Sequence, residues 1–429
     1  MAYISGNTSE SGRIIIINED TWSLEKSRLI DSGNYRINAL DDGKKTVICR
    51  RDDGKSDGFG NVDTAIENYQ VFSCGSNDAG QLGLNDIVNR STLTQIGTEG
   101  NWKSVVCGYW NTLAIKTDGT LWGCGFNWSG QLGLGNISYR STLTQVGTAT
   151  DWKSVSCGDR FTLAIKTNGT LWSCGLNDTG QLGLNDRINR STLTQIGSDT
   201  DWKDASCGNL NLFAIKENGT LWGCGNNSLG QLGLNISGVT AHRSTLTKIG
   251  TDTNWKSASG GGYHTLAIKT DGTLWSWGNN WNGELGHNNI IRMSIPTKVG
   301  TDTDWEFISA GFRHNLALKN NGTLWSWGNN WHSQLGHNDI INRSIPTKVG
   351  TDTDWEFIST NKQIDTMEDY FVFFSLTIKN NGTVYGCGLN TSGQFGLGDL
   401  VSRSIFTQIG SGTDWESVSC GGAHIMFLK

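Results

Sequence analysis

Ten cysteines and seven histidines are the residues of this 429-residue chain best suited to chemistry, whether metal ligation, thiol redox reactions or general acid–base catalysis. Their spacing argues for none of these. Cys107, Cys157, Cys207 and Cys420 share a recurring position with Gly260 and Ala310, while Cys74, Cys124, Cys174, Cys224 and Cys387 share another with Trp277 and Trp327. The first position is a slot for small side chains, and no CxxC pair offers the close spacing of a zinc site, so buried free thiols are expected. His264, His314 and His424 alternate with Asn111, Phe161 and Asn211, and His287 and His337 stand where other repeats have leucine, as at Leu84 and Leu134. A catalytic histidine needs a nucleophile and an orienting partner at a fixed spacing, and none recurs. Asp302-x-Asp304 and Asp352-x-Asp354 lack the further oxygen ligands and the glycine of a calcium loop and read as acidic turns. Gly123-Cys-Gly125 leads into a loop and a strand and never opens a helix, which removes a dinucleotide site. No catalytic, cofactor-binding or metal-binding residue is assigned, no cofactor is expected, and the chain reads as a non-enzyme.

Binding chemistry is better represented. Trp128, Trp281 and Trp331 occupy a position where other repeats carry Asp78, Asp178, Ser228 and Thr391, so the position tolerates polar side chains and is expected to be exposed. With Asn127, Asn280 and Asn330 beside them, these indoles could stack on sugar rings or anchor a protein partner. A ten-residue insertion spanning Asn361–Tyr370, with Asp369 and Tyr370 at its end, is a second interaction candidate, because long loops on rigid scaffolds often carry function. A shorter insertion, Ser237–His242, reads as a lengthened surface loop.

The elements that position these residues come from a repeat. A marker glycine falls at Gly75, Gly125, Gly175, Gly225, Gly278, Gly328 and Gly388, and a marker tryptophan at Trp102, Trp152, Trp202, Trp255, Trp305, Trp355 and Trp415, giving seven copies. Within one copy, Trp152–Cys157, Phe161–Lys166, Thr170–Cys174 and Ser191–Ile196 read as short strands, with Asn168-Gly169 as a type I′ hairpin turn. Four antiparallel strands in about 50 residues make a propeller blade. The marker tryptophans and the third-strand aromatics, Phe72 to Tyr385, are expected to pack between blades. The repeat region starts near Tyr69 with a third strand and stops after a second strand, so residues 415–429 and 69–97 combine into one closing blade. The reading is all-β: a seven-bladed β-propeller over residues 67–429 with a small β module over 1–66.

A net charge of −6 argues against a nucleic-acid protein, and the longest apolar runs, Ile14–Ile17 and Tyr370–Phe374, fall far short of the ~20 residues of a membrane span. The N-terminus shows no basic-then-apolar export signal, and no nucleic-acid binding or membrane insertion is expected. In the first 66 residues, Arg13–Ile17, Asn34–Asn38 and Lys45–Cys49 read as three strands, too few to be stable alone, so the module should pack on the propeller or pair with another chain.

The pattern Gly-x-Asn-x-x-Gly-Gln-Leu-Gly, with Val-Ser-Cys-Gly and Thr-Leu-Ala-Ile-Lys-x-Asn/Asp-Gly-Thr downstream, resembles the regulator of chromosome condensation repeat, whose family fold is a seven-bladed β-propeller. The resemblance brings in nucleotide exchange on a small nuclear GTPase, chromatin binding, and ultraviolet reception in a plant relative. Met1–Gly12 lacks the basic tail that chromatin attachment would want, and the photoreceptor's Gly-Trp-Arg-His stands here as Gly311-Phe-Arg-His314. The N-terminal segment, ending in Gly58-Phe-Gly-Asn-Val62, resembles short β modules of tailed-phage virion proteins and transthyretin-like or carboxypeptidase-regulatory-like sandwiches. Together these imply a non-enzymatic binding protein on a virion surface or tail, holding protein partners through its N-terminal module and a cell-surface glycan or receptor through its propeller. The alternative is a cytoplasmic scaffold or a guanine-nucleotide exchange-type regulator of a small GTPase.

Overall fold

The computed structural model describes residues 69–362 and 372–429 with their side chains, together with the backbone of five strands between residues 3 and 51. In blade 2 the strands Trp152–Cys157, Phe161–Lys166, Leu171–Gly175 and Arg190–Gln195 pair in sequence order. The second strand is buried almost throughout, which explains its near-continuous apolar run, whereas the outermost is half-exposed and polar. The same four-stranded sheet recurs in blade 1 (102–145), blade 3 (202–248), blade 4 (255–298), blade 5 (305–348) and blade 6 (355–409). Blade 7 is composite. Its strands Ser417–Cys420 and His424–Leu428 pair onward to Val71–Gly75 and Arg90–Gln95, so both ends of the repeat region close the ring.

Consecutive first strands touch one another around the ring, which makes them the inner wall of a central channel. Hydroxyls tie that wall together: the backbone N–H of Cys207 donates to Ser156 Oγ (3.0 Å), that of Ala310 to Ser259 Oγ (3.0 Å) and that of Cys107 to Ser419 Oγ (2.8 Å), each across a blade boundary. Apolar clusters also straddle boundaries, as where Phe161 and Ile165 of blade 2 pack with Trp202 and Leu212 of blade 3. The described cysteines are all buried and free. In the second recurring slot, Cys124 Sγ faces the Gln81 carbonyl (3.5 Å). Trp277 and Trp327 donate Nε1 to the equivalent carbonyls of Gln231 and Glu284 (2.8 Å each), so thiol and indole serve one acceptor.

The hairpin turn differs from the sequence expectation. Gly169 alone takes a positive φ (76°), and Gly169 N–H donates to Lys166 O while Lys166 N–H donates to Thr170 O, a type I turn closed by a glycine bulge rather than type I′. A Cβ at Gly169 would lie 2.1 Å from Thr200 O, so the glycine is required sterically as well.

The acidic turns have a specific role. Lys319, at the end of the second strand of blade 5, lies 4.8 Å from the ring centres of both Trp305 and Trp325 and pairs with Asp302 (2.6 Å) and Asp304 (2.9 Å). Burial pulls the Lys319 ammonium down, but its bonds to the two carboxylates outweigh this and hold it above its usual range. Blades 1 to 6 each repeat this lysine between two aromatic rings, as at Lys269 between Trp255 and Trp275. The marker tryptophans therefore meet the third-strand aromatics within a blade, edge to face, as for Trp152 and Trp172 at 6.0 Å.

The chain divides into two compact units, residues 1–69 and 70–429. In the first, Tyr3–Thr8 pairs with Gly33–Asn38, and Gly12–Asn18 lies between Ser23–Ile30 and Lys45–Arg51. Tyr3–Thr8 and Ser23–Ile30 are additional to the three strands expected; the second, Ser-Leu-Glu-Lys-Ser-Arg-Leu-Ile, has the charged composition of an edge strand and little β-propensity.

Candidate partner-binding face

The blade topology sorts side chains onto two faces. One, the turn face, carries the Asn-Gly or Asp-Gly hairpin turns and the acidic connections between blades; the other, the loop face, carries the short connections between first and second strands and the long Gly-rich loops before the outer strands. Basic residues segregate accordingly. Among the described residues every arginine lies on the loop face, and every lysine except Lys362 lies toward the turn face. The turn face has a polar recess of about 270 Å³ between blades 4 and 5, where Lys256 and Glu306 neutralise each other at 3.0 Å.

Each loop is held by its own asparagine. Asn280 Oδ1 accepts from Leu285 N–H (2.9 Å) and its Nδ2 donates to Asn289 O and Ile291 O (3.0 Å each); Asn330 is bonded alike to Leu335 and Asp339. Both are fully buried. Asn280 and Asn330 are therefore corrected from ligand contacts to internal staples, since no side-chain atom is left to face a ligand. Their neighbours are the reverse: Trp128, Trp281 and Trp331 are about 60 % exposed. Trp281 and Trp331 sit at equivalent points of adjacent blades, and Trp128 stands three blades away from Trp281. Asp369 and Tyr370 lie outside the described residues.

Phe312 N–H donates to Asn361 O (3.0 Å), Phe374 N–H donates to Asn361 Oδ1 (3.1 Å), and Asn361 Nδ2 donates to Val372 O. Asn361, Lys362, Val372 and Phe373 thus lie where the first and second strands of blade 6 face the channel mouth, as the first-to-second strand connections do in the other blades. Lys362 Nζ reaches the carbonyl of Cys207 on blade 3 (3.1 Å).

Two features escape the sequence reading. An aromatic cluster surrounds Phe126, with Trp110 at 5.5 Å, Trp128 at 5.2 Å, Tyr139 at 4.9 Å and the Arg160 guanidinium at 5.6 Å from its ring. In addition, the loops expose branched aliphatic side chains, among them Ile87, Ile137, Ile188, Ile290, Ile340 and Leu400, each about 60 % or more accessible. Recurrence at one position of most repeats was the available signal; inside segments such as Asn-Asp-Ile-Val-Asn-Arg they resemble isolated apolar residues of a polar loop.

Serine–histidine contacts are also present, without catalytic geometry. Ser276 Oγ lies 3.0 Å from His287 Nε2 and Ser326 Oγ 2.9 Å from His337 Nε2, but both hydroxyls are buried and also bond the carbonyls of Leu285 and Leu335. Ser73 and Ser173 bond the equivalent carbonyls with no histidine nearby, so the contact belongs to loop anchoring. Among the described residues no cluster of three or more His, Cys, Asp or Glu side chains could hold a metal ion, and no helix is long and apolar enough to cross a membrane.

Seven blades, cross-blade hydroxyl ties and a split closing blade are now joined by a sequence match: the RCC1-like domain model matches residues 58–366, and the regulator of chromosome condensation (RCC1) repeat matches residues 381–428. The chain belongs to the RCC1-like family. Solved relatives share the fold at low identity. Human WBSCR16 is 21 % identical with a TM-score of 0.72, covering 84 % of this chain and 98 % of its own. Yeast RCC1 (Prp20), solved bound to Kap60, is 19 % identical with a TM-score of 0.74, covering 85 % and 89 %. Prp20p from Saccharomyces cerevisiae, whose binding properties to Gsp1p and histones were described with its structure, is 19 % identical with a TM-score of 0.72, covering 85 % and 92 %. No curated protein matches the sequence.

Within this RCC1-like propeller, burial pushes the Asp159 carboxyl up to about 6 against the opposing pull of Arg160, 3.7 Å away. A carboxyl raised in the folded state contributes stability below its unfolded pKa and loses it as pH rises through the folded value. Asp159→Asn is therefore expected to raise stability by up to about 3 kcal/mol at pH 7.5, with the gain fading toward pH 4. Urea unfolding of both proteins at the two pH values checks this.

Proposed function

We propose that this protein is a non-enzymatic protein-binding propeller that recognises its partner through the loop face. The observation that carries the reading is the concentration there of exposed tryptophan, exposed branched aliphatics and arginine, the composition of interface hot spots. The N-terminal unit would provide a separate attachment. Regulation of a small GTPase is one specific form of this reading, supported by the yeast relative described for its binding to Gsp1p and histones. A glycan-binding, particle-displayed role has less support, because Asn280 and Asn330, the polar groups that would complete a sugar site beside Trp281 and Trp331, are consumed inside their loops.

Capture of partners from the native producing cells tests the proposal. Trp128→Ala with Trp281→Ala and Trp331→Ala should reduce capture at least tenfold, while Phe307→Ala with Phe357→Ala, exposed on first strands at the opposite end of the channel, should leave it within twofold. The reverse pattern would overturn the reading. For the GTPase form, the chain should speed nucleotide release from a responsive GTPase, and replacing residues 361–373 with the three-residue turn of blade 5 should abolish that.

A further inference from the structure

Blade 1 departs from its neighbours at two points of one loop. In blades 2, 5, 6 and 7 the arginine opening the outer strand pairs with an aspartate four residues earlier, as Arg190 with Asp186, Arg343 with Asp339 (2.7 Å), Arg403 with Asp399 (2.7 Å) and Arg90 with Asp86. In blade 1 that aspartate is Asn136, and Arg140 bonds instead to the carbonyls of Tyr139 (2.9 Å) and Ser138 (3.4 Å), so its charge meets no carboxylate there. The same loop holds Trp128 and Tyr139, whose rings are 5.9 Å apart over the buried Phe126.

A second cation borders the cluster from the next blade. Arg160 has a positive φ (56°), rare for a side chain of this size, and its guanidinium lies over Phe126. Its carboxylate neighbour, Asp159, is 3.7 Å away, beyond a hydrogen bond. Trp110 completes the inner border, stacked on Tyr109 at 4.7 Å. An apolar, partly exposed aromatic surface thus has the Arg160 guanidinium over its Phe126 ring and the Arg140 guanidinium bonded to the backbone carbonyl of Tyr139, and the planar forks of both suit carboxylates.

We propose that this patch, formed by Trp110, Phe126, Trp128, Tyr139, Arg140 and Arg160, docks an acidic segment of a partner protein. The partner's aromatic or aliphatic anchor lies on the aromatic cluster, and flanking carboxylates pair with Arg140 and Arg160. Asp159 offsets part of the Arg160 charge, and the net positive charge that Arg140 and Arg160 leave on the patch disfavours a basic segment. The inference rests on the protein-binding reading above and specifies which part of the loop face is used and the charge of what it holds.

Fluorescence anisotropy with a labelled glutamate–tyrosine copolymer tests it, a lysine–tyrosine copolymer of equal length serving as comparison. The acidic copolymer should bind and the basic one should not. Arg140→Gln with Arg160→Gln should weaken binding at least tenfold, and Lys103→Gln with Lys153→Gln, on the turn face, less than twofold. Arg140→Glu alone, on the half-exposed rim, should also weaken binding at least tenfold and covers the case in which Arg160→Gln disturbs the connection between the first two strands of blade 2. Unchanged affinity in the arginine variants, equal loss in the lysine variant, or preference for the basic copolymer would overturn the proposal. If partner capture remains sensitive to the tryptophan substitutions while the copolymer ignores the arginines, the acidic segment is refuted and the protein-binding reading stands.

Discussion

Between pH 6.5 and 4.5 the wild-type propeller is expected to lose about 5 kcal/mol of stability relative to a His314→Asn/His424→Asn variant. Both histidines are fully buried at blade boundaries, with His314 Nε2 3.0 Å from Ser375 Oγ and His424 Nε2 3.2 Å from Thr112 Oγ1. Burial depresses each imidazole to about 3, helped at His314 by the neighbouring His264. The unfolded chain takes up these protons near pH 6.5 and the folded chain does not, so the unfolded state binds more protons throughout the interval and stability falls with pH. The unfolded imidazoles are already half-protonated at pH 6.5, so at about 1.4 kcal/mol per pH unit the interval contributes about 2.3 kcal/mol per histidine and about 5 kcal/mol for the pair. Asp159 and Glu416, raised by burial to about 6 and about 7, act in the opposite sense, but they are common to both proteins and cancel in the comparison. Asparagine already occupies this position at Asn111 and Asn211, so the fold accommodates it. Urea unfolding at half-unit pH intervals gives the two profiles; parallel profiles would show that the histidines titrate normally.

Trp305→Ala is expected to cost about 3–5 kcal/mol and Trp331→Ala less than about 0.5 kcal/mol, although the two residues are only 26 positions apart in one blade. Trp305 is buried, packs with Leu266, Ile268 and Trp327, and forms one wall of the Lys319 clamp. Truncation would leave a cavity and strip one ring from a partly desolvated ammonium. Trp331 is 58 % exposed at a position where Asp78, Asp178 and Thr391 stand in other blades. Thermal and urea unfolding separate the two outcomes. A large loss at Trp331 would mean that the exposed indole supports the loop and is not held in reserve for a partner.

The architecture was readable because the repeat states it seven times. The marker glycine and tryptophan fix blade number, and the offset between chain ends and repeat boundary fixes closure. Finer geometry was less legible for identifiable reasons. Asn-Gly suits two hairpin types, and only the bonds of Lys166 with Gly169 and Thr170 distinguish them. Asp302-x-Asp304 carries no sign of its partner, because Lys319 reaches it only after the second strand has folded back. The exposure of Trp128, Trp281 and Trp331 followed from polar substitution at their position, whereas the identical Asn280 and Asn330 beside them concealed complete burial: a polar residue present in every repeat signals an internal hydrogen-bonding task. The Phe126 cluster brings together Trp110, Tyr139 and Arg160 from three separate turns, and no local pattern could announce it.

Hydroxyl-radical footprinting of the propeller, alone and in complex with a partner captured from its native cells, tests the central claim most directly. Recognition by the loop face predicts protection of Trp128, Tyr139 and the exposed loop isoleucines, with Phe307 and Phe357 on the first strands oxidised as in the free chain. Protection of Phe307 and Phe357 with the loop tryptophans unchanged would contradict it.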